Sequence, residues 1–289
     1  MWVLAFSKIL NYDILPPNFK SKNIEILDAK EFKPQKIDGI KITEISDLAY
    51  KDGLLYGLSD QGFLYLFSLT IKNEKIVEIK PLKGMKLKDE QGKVLKKSKR
   101  DAEGMDLVKG KLLISFERKP RIEYFSPHAK KIKKVKINKK LLNIKNYRTP
   151  NKALESVIYS KKYKIVTAPE LPLKNKKVCS HTIYTTKGKF RFKASGCITS
   201  LEFIDKDKML ILMRDYSYIS RHLVVSLLSF DLLNENVKTL VKMDSKKGWN
   251  IDNFEGLTKI KDNLYLMVSD DNDSMFQKTL FVLFKLKAK

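Results

Sequence analysis

The chain has 289 residues, 43% of them hydrophobic, with only 12 glycines and 9 prolines. This composition excludes a disordered or low-complexity protein, and a chain of this length can bury roughly three quarters of its unfolded surface. No uncharged apolar run approaches the ~18 residues that a membrane span needs. We therefore expect one globular domain without a transmembrane segment, working as a monomer.

The charge is strongly basic, with 58 basic and 33 acidic residues and a net charge of +25. Of the basic residues 51 are lysines and 7 are arginines, and they are scattered along the whole chain. Base and phosphate recognition usually depends on arginine, and the sequence contains no zinc finger, RNP-like aromatic signature or basic helix. This disfavours a nucleic acid partner. A basic exterior still attracts anions, either phosphorylated small molecules or an anionic envelope surface.

Five segments along the chain share one layout, in which a polar or acidic residue precedes an apolar strand, a tight turn and a second apolar strand that ends in a carboxylate. The carboxylates Asp60, Glu117, Glu170, Asp215 and Asp270 follow the markers Ser46, Glu103, Glu155, Ser200 and Glu255 by 14 to 15 residues. Successive markers are 57, 52, 45 and 55 residues apart. Paired strands that recur at this period are the signature of propeller blades.

Alternating runs between these segments supply the outer strands. They are FLYLFSL and KIVEIK, RIEYF and IKKVKI, HTIYTT and KFRFKA, and LVVSLLSF and VKTLVKM. The last unit retains only TLFVLFKL, so the stretch NIEILDAKEF near the amino terminus is free to complete it and close the ring. We predict an all-β fold, a β-propeller of four-stranded blades over residues 23–289 with an extension over 1–22. Five blades are counted, and a sixth, degenerate blade remains open.

The propeller arrangement brings the acidic residues together, because the inner strands begin and their partners end at one face. The expected metal ligands at this mouth are Asp60, Glu103, Glu117, Glu155, Glu170, Glu255, Asp270 and Asp271. Repulsion between these carboxylates demands cations or protonation. Oxygen ligands of this kind suit Ca²⁺. The alternative is that Arg118, Arg121, Arg148, Lys152 and Arg214 neutralise the cluster, and a mixture of both is open.

Two cysteines lie symmetrically about Gly188, the centre of the turn in CSHTIYTTKGKFRFKASGC. In a regular hairpin Cys179 and Cys197 face each other, so either a disulfide or a pair of buried thiols is expected. A disulfide would indicate an oxidising compartment. The apolar run in the amino-terminal segment MWVLAFSKIL is too short for a signal peptide, and no basic leader precedes it. We therefore do not expect this segment to be a complete signal peptide.

Four segments together resemble the phytase-like domain family, which is described as having esterase-like activity of phytase. They are ISDLAYKDGLLYGLSDQG, DAEGMDLVKGKLLISFERKPRI, NKALESVIY with APELPL, and NFEGLTKIKDNLYLMVSDDNDSMFQKTLFVLFKL. The resemblance runs from about residue 40 to 287, and the recurrent EG and SD positions match at Glu103-Gly104, Glu255-Gly256 and Asp270-Asp271-Asn272. The chain departs from it at Glu155-Ser156 and at Ser46-Asp47, where the family has Glu-Gly and Ser-Gly.

The resemblance implies hydrolysis of phosphate or carboxylic esters by a protein exported from bacterial cells, in the periplasm or secreted. Under this hypothesis Ca²⁺ is the cofactor, and Glu255, Asp270, Glu103, Arg214 and Arg118 carry the chemistry. The alternative is a propeller without catalytic activity that binds a ligand or a protein partner at the cell envelope. Whether the chain is an enzyme is left open by the sequence.

Overall fold

The computed structural model describes residues 9–217 and 219–287, and nearly all regular structure in these ranges is β-strand. In chain order the strands are β1 (Ile9–Asn11), β2 (Ile24–Phe32), β3 (Lys36–Ile37), β4 (Ile40–Lys41), β5 (Ile45–Lys51), β6 (Leu54–Ser59), β7 (Phe63–Lys72), β8 (Lys75–Lys86), β9 (Ala102–Val108), β10 (Lys111–Phe116), β11 (Arg121–Phe125) and β12 (Lys131–Lys134). They continue with β13 (Leu154–Ser160), β14 (Lys164–Pro169), β15 (Ser180–Thr185), β16 (Lys189–Lys193), β17 (Cys197–Phe203), β18 (Lys208–Ser217), β19 (His222–Asp231), β20 (Asn236–Asp244), β21 (Asn253–Lys261), β22 (Leu264–Asp270) and β23 (Thr279–Leu286).

In the part of the chain that the structure describes, helical structure is confined to four short 3₁₀ turns, at Lys97–Lys99, Lys139–Leu142, Ile144–Asn146 and Ser245–Lys247. Among the described residues no helix is long and apolar enough to cross a membrane. The first eight residues of the segment MWVLAFSKIL lie outside the described residues. Its last two residues, Ile9 and Leu10, form the start of β1.

The strands form five antiparallel sheets in which consecutive strands are neighbours. Blades one to four are β5–β8, β9–β12, β13–β16 and β17–β20, and a separate two-stranded hairpin is formed by β3 and β4. The fifth blade has the order β21-β22-β23-β2, with β1 added at its outer edge. The predicted strand NIEILDAKEF is β2, so the N-terminal segment completes the last blade as expected.

The innermost strands close a ring, because β5, β9, β13, β17 and β21 each contact the next and β21 contacts β5. Five hydrophobic clusters fill the five interfaces between neighbouring blades. The molecule is therefore an all-β, five-bladed propeller, and the described residues contain no sixth blade. Burial of apolar side chains between the sheets, worth about 25 cal/mol per Å², holds the ring together.

A carboxylate lies at the ring axis below the mouth. Asp47 in β5 is 1% exposed, and its Oδ2 accepts from the N–H of Met105 in the second blade at 2.7 Å. Its Oδ1 accepts from the N–H of Leu257 at 3.2 Å and from the Ser200 hydroxyl at 3.1 Å. The N–H of Leu48 also donates to Oδ1, at 2.9 Å. Asp47 thus joins four of the five blades, where parallel inner strands leave N–H groups unpaired.

Replacing Asp47 with alanine should lower the free energy of unfolding by several kcal/mol, because each buried donor left without an acceptor costs about 1–3 kcal/mol. Urea unfolding followed by tryptophan fluorescence measures the change. The matched control is Asp13→Ala, at an exposed position. A loss for Asp47→Ala no larger than that of the control would show that the axial carboxylate does not join the blades.

Candidate functional site

A β-bulge in every inner strand shapes the site. In the second blade Met105 pairs with Ile114 and Ala102 with Phe116, so β9 carries one extra residue at Glu103-Gly104. The same register shift places Ser46, Glu155, Thr199 and Glu255 in the bulges of the other blades. Bulges re-aim side chains and are common next to active sites. Here they point the three glutamates of the repeat at the mouth of the ring.

The glycine of the Glu-Gly motif is required by the close approach of neighbouring blades. A Cβ atom on Gly104 would lie 2.6 Å from the carbonyl oxygen of Glu155, and one on Gly256 would lie 2.8 Å from the Cα atom of Asp47. Backbone atoms cannot move aside at such distances. The motif therefore combines an acidic bulge residue with the contact that closes the ring.

The partner strand contributes a second position beside each bulge, one residue after the residue that pairs with the strand just before the bulge. Asp60, Glu117, Glu170 and Asp270 occupy it in four blades. In the fourth blade the register pairs Arg214 with Cys197, so Arg214 takes this position and Asp215 is exposed beyond it. The prediction that Ser200 and Asp215 continue the repeat is wrong by one residue each, because the bulge of β17 lies at Thr199.

We call these mouth positions the carboxylate ring, defined by Asp60, Asp101, Glu103, Glu117, Glu155, Glu170, Glu255 and Asp270 with Arg214. On one side of the carboxylate ring, protein cations neutralise the negative charge. Arg214 donates through Nη1 to Glu255 Oε1 at 2.6 Å, and its Nη2 lies 3.5 Å from Glu170 Oε1. Lys152 also reaches Glu170 Oε1, at 2.7 Å. The third, fourth and fifth blades are thereby linked by ion pairs.

On the other side of the ring the carboxylates have no cation. Among the described residues no ion pair involves Asp60, Glu103, Glu117 or Glu155, and Glu117 accepts only from the N–H of Ala153 at 2.9 Å. The Asp60 Oδ1 atom is buried and has no hydrogen-bond partner. Asp101 is the exception, because Arg118 lies at the exposed rim and its Nε atom is 2.9 Å from Asp101 Oδ2.

Burial, and after it the repulsion between neighbouring carboxylates, raises the pKa values of these acids. Burial raises the pKa of Asp60 to about 7, and Glu44 and Asp101 add repulsion. Burial likewise raises the pKa of Glu117 to about 8, although the N–H of Ala153 opposes the shift. The pKa values of Glu103 and Glu155 lie well above the ordinary range, first from burial and then from neighbouring carboxylates. Without a bound cation these carboxyls therefore hold protons up to about neutral pH, and a cation bound there would displace those protons.

The geometry of this side fits a metal ion. One oxygen each from Asp101, Glu103 and Glu117 lie within 4.8 Å of one another, and so do oxygens from Glu117, Glu155 and Glu170. Glu117 belongs to both groups, and Asp60 Oδ1 supplies an acceptor without a donor. Several hard oxygen atoms in an irregular arrangement are the donor set that Ca²⁺ takes, with ~6 to 8 ligands.

Several expected participants lie elsewhere or are already engaged. Asp271 accepts from the hydroxyls of Thr43 and Thr279, so its carboxylate joins the last loop to the first blade. Arg121 pairs with Glu123 and covers the ring of Phe116. Arg148 donates to backbone carbonyls of the loop that follows β14. Of the five basic residues proposed to neutralise the cluster, Lys152 and Arg214 reach the expected carboxylates, and Arg118 reaches Asp101.

The expected cysteine pair does not form, since both thiols are free. The hairpin register pairs Ser180 with Lys193, which leaves Cys179 opposite Ala194, while Cys197 already begins the inner strand of the next blade. Cys197 lies at the ring instead, where Lys152 donates to its Sγ at 3.5 Å. Burial raises the pKa of this thiol to about 12, so it stays protonated.

Sequence reasoning missed Asp101 and Asn253, which lie two residues before the bulge glutamates. Asn253 donates to Glu255 Oε1 at 2.8 Å and accepts from Arg214, and Asp101 is the rim partner of Arg118. The available signal was the alternation of the strand, because residues two apart face the same side. Applied to the Glu-Gly motif, that rule would have found both.

Comparison with known proteins agrees with this architecture. A family model described as "Phytase-like: Esterase-like activity of phytase" matches residues 40–273. The chain belongs to this phytase-like family. The match covers the inner strands of all five blades, and with them the whole carboxylate ring. The family assignment and the ring geometry therefore concern the same part of the molecule.

Solved structures are similar to this phytase-like chain at low identity, and the comparison with curated proteins found no match. Glutaminyl cyclase from Myxococcus xanthus matches with a TM-score of 0.51 and 12% identity over 92% of this chain and 97% of that one. A protein of unknown function from Bacteroides thetaiotaomicron gives 0.46 and 11%, over 92% and 76%. A putative exported protein from Bacteroides fragilis gives 0.42 and 9%, over 96% and 98%. At 12% identity, the likeness to the glutaminyl cyclase shows a similar fold and nothing about function.

The raised pKa values predict how stability depends on pH. A carboxyl whose pKa is higher in the folded state binds more protons there than in the unfolded chain, so folding is favoured at low pH. In metal-free protein the free energy of unfolding should therefore fall as pH rises from about 4.5, the unfolded value of Glu, towards about 8, the folded value of Glu117.

Thermal melts in EDTA between these pH values measure this dependence. Excess Ca²⁺ should reduce it, because an ion replaces the protons, and Glu117→Gln should reduce it without metal. Asp262→Asn, at an exposed turn, is the control that should leave the slope unchanged. Stability that rises with pH in EDTA would contradict a crowded, uncompensated ring.

Replacing Arg214 with glutamine should lower the free energy of unfolding by about 3–5 kcal/mol, because Glu170 and Glu255 would lose a buried cation. Added Ca²⁺ should recover part of this loss. The control is Arg118→Gln at the exposed rim, where an ion pair is worth about 0–1 kcal/mol. Urea unfolding with and without Ca²⁺ makes the comparison, and equal losses in the two variants would contradict the central role of Arg214.

Proposed function

We propose that this phytase-like protein is a calcium-assisted phosphomonoester hydrolase, with the carboxylate ring as its active site. The observation that carries the proposal is the half of the ring in which Asp60, Glu103, Glu117 and Glu155 face one another without a protein cation. An ion held there would offset this repulsion and would attract an anionic substrate. The family match, with its esterase-like description, supports ester hydrolysis as the reaction class.

The residues that would hold Ca²⁺ are Asp60, Glu103, Glu117 and Glu155, with Asp101 beside them. A bound ion would supply Lewis acidity, which neutralises negative charge on phosphoryl oxygens. Glu170 contributes less to the ion, because Lys152 and Arg214 already share one of its oxygens. Asp271 has no part in the site, since protein donors occupy both of its oxygens.

Glu255 is the best candidate for the general base. Arg214 and Asn253 both donate to its Oε1 atom, which fixes the orientation of the carboxylate. Among the described residues no donor is found for Oε2, which leaves that oxygen able to take a proton from water. Burial raises the pKa of this carboxyl, as a base working near neutral pH requires.

Arg118 and Asp270 complete the scheme. Arg118 is half exposed at the rim, and it contacts Asp101 through Nε, so its two Nη groups can bind phosphoryl oxygens. Asp270 is buried beside Glu255 and Asp60, and burial raises its pKa well above the ordinary range.

In the reaction the water oxygen bonds to phosphorus as its proton passes to Glu255. The ester P–O bond breaks, and the leaving oxygen takes the proton of Asp270.

We further propose that the protein acts as a monomer outside the cytoplasm, in the periplasm or secreted. This location follows the family resemblance stated above, and Ca²⁺ is more available there than in a cytoplasm. The free cysteines lend it no support, because the disulfide that would have indicated an oxidising compartment is not formed. The substrate would be a small anionic phosphate ester.

The second candidate is a propeller that binds a ligand or a protein partner without catalysis. The observation that favours it is the ion-pair set around Arg214, which links three blades and has a structural effect in its own right. Under this alternative the metal would stabilise the ring, and no ester would be cleaved.

Assays with p-nitrophenyl phosphate, p-nitrophenyl acetate and phytate, with Ca²⁺ or EDTA, test the proposal. We expect phosphate release in Ca²⁺ that EDTA abolishes. Glu255→Gln should lower kcat by about 10²- to 10⁴-fold, the usual contribution of a general base. Arg118→Ala should mainly raise KM.

The matched control is Glu25→Gln, at an exposed position in β2, which should keep full activity. Thermal melts in Ca²⁺ check that each variant is folded. A protein that Ca²⁺ stabilises but that releases no product from any ester would rule out hydrolysis and favour binding. Cleavage of the acetate alone would replace the phosphate ester with a carboxylic ester as the substrate.

A further inference from the structure

The net charge is concentrated in one part of the chain, although the lysines are spread along all of it. Residues 124–196 contain 20 basic and two acidic side chains, so they carry +18 of the chain's net charge of +25. The two acids are Glu155 and Glu170, and both belong to the carboxylate ring. The third blade and the segment that leads into it therefore present no carboxylate on their outer surface.

Most of these cations have no carboxylate partner. Ion pairs in the described chain involve only Lys131, Lys152 and Lys162 of the 20. The fourth blade makes a useful contrast, because residues 197–247 contain 8 basic and 7 acidic side chains. An ordinary lysine-rich surface intersperses both signs, as the fourth blade does. The third blade does not.

The cations gather along a cleft between the second and third blades. On one side, the segment after β12 packs through the buried Leu141 and Tyr147, and it turns Lys136, Lys140 and Lys145 outward. On the other side, alternation along β16 exposes Lys189 and Arg191 and buries Phe192. A cavity of about 100 Å³ between the two sides is lined by Lys140, Lys176, Lys189 and Arg191.

Two apolar side chains project from the same surface. Leu142 is 49% exposed and Val178 is 57% exposed. They lie on segments that are hydrogen-bonded to each other, since Lys174 donates its N–H to the carbonyl of Asn146 at 2.9 Å. Both segments lead to or from mouth positions, so this surface borders the face that carries the ring.

The combination of unpaired lysines with projecting aliphatic side chains fits an anionic bilayer, in which charge attracts the protein and the apolar side chains enter the interface. A nucleic acid fits less well. Only Arg148 and Arg191 among these cations are arginines, and every tyrosine and phenylalanine in the region is at least half buried, so none is available to stack on bases.

We propose that the basic surface, defined by Lys136, Lys140, Lys145, Lys176, Lys189 and Arg191, docks the protein on an anionic lipid bilayer. Leu142 and Val178 contact the lipid, and the face that carries the ring lies next to the membrane. The proposal does not depend on the hydrolytic activity, because it rests on residues outside the ring.

Co-sedimentation of the full chain with vesicles tests it. We expect binding to phosphatidylcholine vesicles that contain about one third phosphatidylglycerol, and none to pure phosphatidylcholine. Raising the salt from about 0.1 M to 1 M should release most of the protein, because the Debye length falls from about 10 to 3 Å. The variant K140E/K176E/R191E should bind at least about a hundredfold more weakly, since each of the three cations near the surface contributes about 1 kcal/mol.

The matched control is K206E/K242E/K261E, which makes the same charge change on exposed lysines of the fourth and fifth blades and should bind like the parent protein. Leu142→Ser with Val178→Ser should weaken binding at every salt concentration without changing its salt dependence. Equal losses in both charge-reversed variants would overturn the proposal. So would binding to heparin or polyphosphate without binding to the anionic vesicles.

Discussion

Mutual repulsion among buried carboxylates is the constraint on which this molecule depends. The bulges that let five sheets close into a ring also aim Glu103, Glu155 and Glu255 at one point. Protein cations offset this repulsion on only one side of the ring. Arg214 replaces a carboxylate in the fourth blade and neutralises one side of the ring, while the opposite side is left for an external cation or for protons. This uneven compensation leaves one side of the ring as the candidate binding site.

Most of the fold could be predicted from the sequence, because propeller blades repeat a local pattern. Strand alternation, tight turns and a recurring carboxylate predicted five blades and their closure by residues 23–32. The site was harder, because one bulge shifts the register of a strand by one residue. Nothing in the sequence marks Thr199 as a bulge, so Asp215 was expected where Arg214 lies. The register of the outer hairpin in the third blade also differs from the symmetric one, by three residues, and this separates Cys179 from Cys197.

Charge is organised radially in this protein. Its axis and mouth are acidic, with Asp47 below the ring, whereas the surface around the third blade is basic. Composition alone could not show this, because a net charge of +25 says nothing of where the acids lie. An acidic centre within a basic exterior would draw anions towards the mouth from a distance and admit them only where a cation reverses the local sign. Under the proposed function, metal binding and substrate binding would then be coupled by electrostatics.

Anomalous scattering from a crystal grown in Ca²⁺ would locate the cation without reference to activity. We expect a peak on the uncompensated side of the ring, within about 2.3 to 2.6 Å of oxygens from Glu103 and Glu117. We expect no peak between Glu170 and Glu255, where Arg214 lies. An empty mouth, or an ion that displaces Arg214, would contradict the proposed calcium site.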